Sequence, residues 1–167
     1  MYQILILIMA GLFIISADGP ATAQLASNPK LSAPDLQAAQ AETRESGGAN
    51  AELIYANRLD AVQKGVYDSL IVVYSKAIKG GKDYFAVVQR EGKKYPLTLD
   101  KGGQALKSGD KFLRMGLKHE EGKSPILRLI AATTDPKQGE KQRNVDYRFN
   151  GTDFVVESQS LMQASKK

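Results

Sequence analysis

An all-β fold, an antiparallel meander of about eight strands, is what this sequence predicts, and three observations carry that reading. From Ala51 onward apolar residues recur largely at every second position, the period of a half-buried strand. Turn signals punctuate the alternation: Gly80-Gly81, Glu91-Gly92 and Asn150-Gly151. No helical segment of 10 or more residues interrupts the strand candidates. Strands joined by hairpin-length connections give an open sandwich, a small barrel or propeller-like sheets.

The elements follow in order. "ILILIMAGLFII", Ile4 to Ile15, is an apolar run of 12 residues, followed by Asp18-Gly19-Pro20 and Ala21-Thr22-Ala23. An apolar core followed by an A-x-A pattern is the layout of a secretory signal peptide, here residues 1–23, with cleavage expected before Gln24. The run is shorter than the roughly 20 residues that span a bilayer, so no stable span is expected after cleavage; a retained anchor is the alternative. Residues 24–50 form a flexible or helical leader. In "SAPDLQAAQAETRE", Ser32 suits an N-cap, Pro34 the first turn, and Asp35 follows Ser32 as in a capping box. Its apolar positions are mostly alanine, so a marginal, exposed helix is expected. Ser46–Asn50 is a flexible break.

The β domain is expected over residues 51–159, with a basic tail at 160–167. Its strand candidates are Ala51–Leu59, Tyr67–Ala77, Asp83–Arg90, Lys94–Leu99, Lys111–His119, Pro125–Thr134, Val145–Phe149 and Thr152–Ser158. Two long polar loops, Asp100–Asp110 and Asp135–Asn144, are expected between them. The unbroken apolar run "LIVVY", Leu70 to Tyr74, suits a strand covered on both faces. In "KFLRMGLKH" strict alternation puts Leu113, Met115 and Leu117 in the core, with Phe112, Arg114 and Gly116 on the other face. Tyr55, Tyr74, Tyr84 and Phe85 fall in strands and are expected in the core or on a sheet face.

Composition narrows the chemistry. There is no cysteine, which excludes lipoprotein acylation, thiol catalysis, zinc–cysteine sites and disulfide staples; stability must come from the core. Of 167 residues, 23 are Lys or Arg and 18 are Asp or Glu, a net charge of +5. Removal of residues 1–23 takes away Asp18 and leaves +6 over 144 residues. The cations Lys79, Lys82, Arg90, Lys93, Lys94, Lys137, Lys141 and Arg143 fall largely in loops and at strand ends. If these converge, they form a basic contact rim for peptidoglycan, anionic lipid or an acidic protein. No aromatics are interleaved with the basic loops as single-strand nucleic-acid binders require, so nucleic acid is not an expected partner. Asn150-Gly151-Thr152 matches a glycosylation sequon, which matters only in a eukaryotic secretory pathway.

The stretch "LDAVQKGVYDSLIVVYS", Leu59 to Ser75, resembles a known repeat. Asp60, Gly65 and Asp68 match the first, glycine and last positions of the loop D-x-[DN]-x-[DN]-G-x-x-D of integrin-type propeller repeats, the FG-GAP or VCBS class. Leu70 to Tyr74 matches the strand that follows. The resemblance, confined to residues 51–75, implies a calcium loop feeding a propeller blade. Val62 and Lys64, however, stand where oxygen ligands should be, and calcium takes about six to eight oxygens. The loop is therefore expected as a turn in which Asp60 and Asp68 accept backbone hydrogen bonds or pair with Lys64. A vestigial cation site at Asp60 and Asp68 is the alternative. Eight strands make two four-stranded blades, too few for a closed propeller in one chain.

No catalytic residues or cofactors are assigned. His119, the single histidine, adjoins Glu120, Glu121 and Ser124 in one tight turn. A base and its orienting carboxylate must meet opposite ring nitrogens, which neighbours in a turn rarely achieve, so a solvated turn is expected. One histidine also disfavours catalytic zinc. The leading expectation is an exported, non-enzymatic β domain, periplasmic or secreted, that binds an envelope or secreted macromolecule, as inhibitors, immunity proteins and accessory proteins do. The alternatives are a cell-wall hydrolase using paired carboxylates (Asp60, Asp68, Asp146 and Asp153 are the candidates) and a calcium-stabilised propeller-like module.

Overall fold

The structure, a computed structural model, describes residues 31–135 and 139–163. The apolar N-terminal segment with its expected cleavage site, Lys137 and the terminal Ala-Ser-Lys-Lys lie outside the described residues. Helix α1 (Ala33–Gly47) precedes strands β1 (Ala51–Leu59), β2 (Ser69–Ile78), β3 (Gly81–Arg90), β4 (Lys93–Leu97), β5 (Lys111–Lys118), β6 (Ile126–Asp135), β7 (Gly139–Phe149) and β8 (Phe154–Gln163). They form two four-stranded antiparallel sheets, ordered β1-β2-β3-β4 and β5-β6-β7-β8. The all-β meander holds, and among the described residues each sheet is open and no barrel closes.

Two apolar layers follow from the strand period. Ile71, Val73, Ala86 and Val88 of the first sheet face Leu127, Leu129, Val145 and Tyr147 of the second. Aromatic rings join the sheets at two places. Phe112 lies 6.0 Å from Tyr55 and 6.3 Å from Tyr84. Tyr95 packs edge-on at 5.7 Å to Phe149, which is 5.2 Å from Phe154. The alternate residues Leu70, Val72, Tyr74 and Val87 face the other way, onto α1. Residues 69–75 of β2 are thus buried on both faces, as the run "LIVVY" implied.

Helix α1 is less exposed than its alanine-rich sequence suggested. Ser32 caps it: its Oγ accepts from the Asp35 amide at 3.3 Å and donates to the Asp35 carboxylate at 2.8 Å. The helix docks on the first sheet with Ala39, Asp35, Glu42 and Thr43 buried. Alanine lets the backbone approach, and polar side chains then supply the attachment. Gly47 shows how close the approach is, since a methyl there would lie 2.3 Å from Ala51 Cβ.

Three expectations need correction. Strict alternation in β5 fails: Phe112 pairs with Ala131 and Arg114 with Ile130, so Leu113 is the extra residue of a bulge. Phe112 therefore enters the core, with Met115 and Leu117 packed against it, while Leu113 is 40% exposed. The loop expected at Asp135–Asn144 is largely strand, because Glu140 to Asn144 pair with Thr134 to Ile130 and backbone pairing with β6 extends β7 beyond the residues that alternation marks. Strand β8 likewise runs to Gln163, past its expected end at Ser158. The loop at Asp100–Asp110 remains a loop, but Ala105 and Leu106 are fully buried in the inter-sheet core. Tyr147 Oη donates to the Ala105 carbonyl at 2.8 Å and fixes that loop.

Candidate functional site

A cleft of about 300 Å³ opens between α1 and the β3–β4 end of the first sheet. Strand polarity explains its charge. Arg58 lies on the face of β1 that meets the helix, Arg90 ends β3, and the Glu91-Gly92 turn returns the chain into Lys93 and Lys94 of β4. These four cations line the cleft together with the carboxylates of Asp68 and Glu91.

Each cation except Lys93 is held from behind by an acid. The Arg58 guanidinium pairs with Asp35 at 2.9 Å and donates to the Asp68 carbonyl at 3.3 Å. Arg90 Nε donates to Asp68 Oδ2 at 2.6 Å and its Nη2 lies 3.1 Å from Glu91. Lys94 Nζ sits between Glu42, at 2.7 Å, and Glu45, at 2.9 Å. Glu42 also accepts from Gln89 Nε2 at 2.6 Å and from Ser46. Lys93 is exposed at the cleft. A guanidinium carries five N–H donors, so these pairs fix Arg58 and Arg90 while leaving donors for an incoming acid.

The carboxylates behind the cleft titrate low. Burial works to raise Asp35, Glu42 and Asp68, but hydrogen bonds and charge from Arg58 and Ser32, from Lys94, Ser46 and Gln89, and from Arg90 and Ser69 outweigh it. Asp146 is lowered first by its hydrogen bonds from Arg128, and Glu120 is held at about 2 by Lys118 and Arg148. A carboxyl lowered by folding stabilises the fold above its unfolded value and ceases to do so as pH falls through its folded value. With unfolded values of about 3.9 to 4.3, thermal stability is expected to fall between about pH 4.5 and pH 2 and to be nearly flat from pH 5 to 7. Melting temperatures measured across pH 2 to 7 check this; a loss beginning near pH 6 would contradict it.

A second, larger cleft of about 820 Å³ lies between the β1–β2 loop and the β5–β6 turn, with Lys64, His119, Glu120, Glu121, Lys123 and Ser124 on its walls. Here the Asp60–Asp68 loop shows its construction. Asp60 is buried, and its Oδ2 accepts from the Gly65 amide at 2.7 Å, with Gly65 at φ +82°. His119 Nε2 approaches the same oxygen at 3.6 Å, so the carboxylate nearest the histidine comes from the other sheet rather than from Glu121. Asp68 pairs with Arg90 and accepts from Ser69, not Lys64. Among the described residues no group of three or more histidine, aspartate or glutamate side chains is placed to hold a metal ion.

The other expected residues are dispersed. Lys79 and Lys82 lie at the β2–β3 turn, at the opposite end of β3 from Arg90, and Lys82 pairs with Glu52. Lys141 and Arg143 belong to β7 in the second sheet, where Arg143 pairs with buried Asp110 at 2.6 Å. Asp146 is fixed by Arg128 at 2.7 Å, and Asp153 is exposed in the β7–β8 turn. Of the eight rim cations, Arg90, Lys93 and Lys94 come together. Arg58 joins them, unforeseen because the register of β1, two residues beyond Ala56 on the helix face, becomes meaningful only once the helix is docked there.

No protein-family model, no curated protein and no solved structure matches this chain. Among the described residues no helix is long and apolar enough to cross a membrane.

Proposed function

We propose that the protein is an exported, non-enzymatic β domain, periplasmic or secreted, that binds a macromolecule of the envelope or the secreted space. The cleft under α1 is the place where an acidic group of that partner is held. The observation that carries this reading is the convergence of Arg58, Arg90, Lys93 and Lys94 around one cleft, from three different strands. Two of these cations are guanidiniums already fixed by Asp35 and Asp68. Fixing them beforehand lowers the ordering cost of binding, and their forked donors match a carboxylate or phosphate.

Pull-down from envelope and secreted fractions of the host, washed at moderate and high salt, tests the proposal. One acidic partner is expected to survive moderate salt. Lys93→Glu should reduce its retention by roughly tenfold, about 1.4 kcal/mol, because a like charge then faces the partner's acid. Lys79→Glu, at the far end of β3, should leave retention unchanged. Equal capture by both variants would remove the cleft from consideration, and capture of nothing would remove the binding function.

A further inference from the structure

The four edge strands are not equally protected. Strand β4 has five residues and carries Pro96, Lys93 and Lys94. Strand β5 is bulged and carries Lys111, Arg114 and Lys118. Strand β1 is bulged and carries Glu52 and Arg58. Short length, proline, charge and bulges are how edges avoid pairing with other chains. Strand β8, "FVVESQSLMQ", has ten residues, no proline and one charge. That charge, Glu157, is the bulged residue, with Ser158 opposite Asp146 and Val156 opposite Tyr147. It is drawn back onto Arg148, which donates to both carboxylate oxygens at 3.0 Å. Among the described residues no strand pairs with the outer edge of β8. Three of the exposed large apolar side chains lie on it: Val155 at 43%, Leu161 at 46% and Met162 at 52%.

We propose that β8 is a homodimer interface, pairing antiparallel with β8 of a second copy about a two-fold axis at Gln159. The occupant follows from self-complementarity. A two-fold normal to the sheet keeps each side chain on its own face, so partners across the axis must share a face. Pairing within the sheet sets these faces: Val156, Gln159 and Leu161 stand opposite Tyr147, Val145 and Arg143, and Val155, Ser158, Ser160 and Met162 lie on the other side. With Gln159 on the axis and Glu157 left out as the bulge, Ser158 meets Ser160, Val156 meets Leu161, and Val155 meets Met162. Val155, Val156, Leu161 and Met162 each face an apolar residue on their own face, and each contact occurs twice. The one carboxylate in the strand is already neutralised within its own chain, so no like charges oppose across the axis. The result is one continuous eight-stranded sheet.

Gln159→Cys gives a direct test in the protein as its host exports it. The chain has no cysteine, so any disulfide joins two chains. Self-opposed residues in an antiparallel pair have Cα atoms about 4.5–5.5 Å apart. That lies within the disulfide range of about 4.4–6.8 Å. Mild oxidation is expected to give a covalent dimer, while Lys79→Cys, exposed in the β2–β3 turn, gives none beyond random collision. Sedimentation of the unmodified protein is expected to show twice the single-chain mass, and Leu161→Lys should weaken the dimer at least tenfold with an unchanged far-ultraviolet spectrum. A monomer at all concentrations, or cross-linking no greater at Gln159 than at Lys79, overturns the proposal. So does protection of the β8 edge by the chain's own N-terminal residues or by another protein.

Discussion

Tyr147→Ala is expected to lower stability by about 3–5 kcal/mol, the cost of deleting a large aromatic side chain from a packed core. Tyr147 is fully buried on the inner face of β7, within the cluster that joins the two sheets. Its hydroxyl donates to the Ala105 carbonyl at 2.8 Å, and Ala105 N–H donates to the Tyr84 carbonyl at 2.9 Å. One side chain thus ties the second sheet to the crossing loop, and the loop is tied to the first sheet. Burial pushes the phenol upward, so it remains a neutral donor. Tyr147→Phe keeps the ring and orphans the carbonyl, and should cost about 1–3 kcal/mol. Since a domain holds only about 5–15 kcal/mol in total, the alanine variant is expected to melt at least roughly 10 °C lower by circular dichroism. Equal melting of Tyr147→Phe and the parent would show that the Ala105 bond contributes nothing.

The second large effect is expected at Glu42. Its side chain is 1% exposed, and it accepts from Lys94, Gln89 and Ser46 at the contact between α1 and the first sheet. Hydrogen bonds to a charged group contribute about 1.5–3 kcal/mol each, so Glu42→Ala should cost at least about 2 kcal/mol. The loss should be local. Helical ellipticity at 222 nm is expected to melt before the sheet signal, because alanine contacts alone bury little apolar area. Lys94 keeps its pair with Glu45 at 2.9 Å in the variant. Unchanged helical melting would show that the alanine face suffices to hold the helix.

Much of the architecture is legible one residue at a time. Period-two alternation and turn residues locate each strand, and β1 matches its expected span of Ala51–Leu59. The Asn150-Gly151 turn forms through local chemistry, with Asn150 Oδ1 accepting from the Thr152 and Asp153 amides, both at 2.9 Å. Where reading fails, the cause is a partner distant in sequence. The Leu113 bulge is invisible because alternation in β5 is equally consistent with either face until Ala131 and Ile130 of β6 fix the register. The early end assigned to β8 reflects the polarity of "ESQSLMQ"; those residues are strand because β7 offers paired backbone, not because a core requires them.

The candidate site divides the same way. That Arg90, Lys93 and Lys94 would cluster follows from the Glu91-Gly92 turn, since a tight hairpin keeps its flanking residues together. Arg58 comes from 32 residues before Arg90, and Asp35 and Glu42 from the leader; only docking of α1 brings them there. Similarly, Asp60 closing onto Gly65 is local, whereas His119 near Asp60 depends on how the two sheets pack. The sequence by itself determined the strand meander, the turns and the residues that cap the helix, because hydrophobic period, backbone preference and capping act within a few residues. The tertiary structure decided which faces meet, which acid holds which base and that Arg58 joins the cations of the β3–β4 hairpin, because those contacts join residues tens of positions apart.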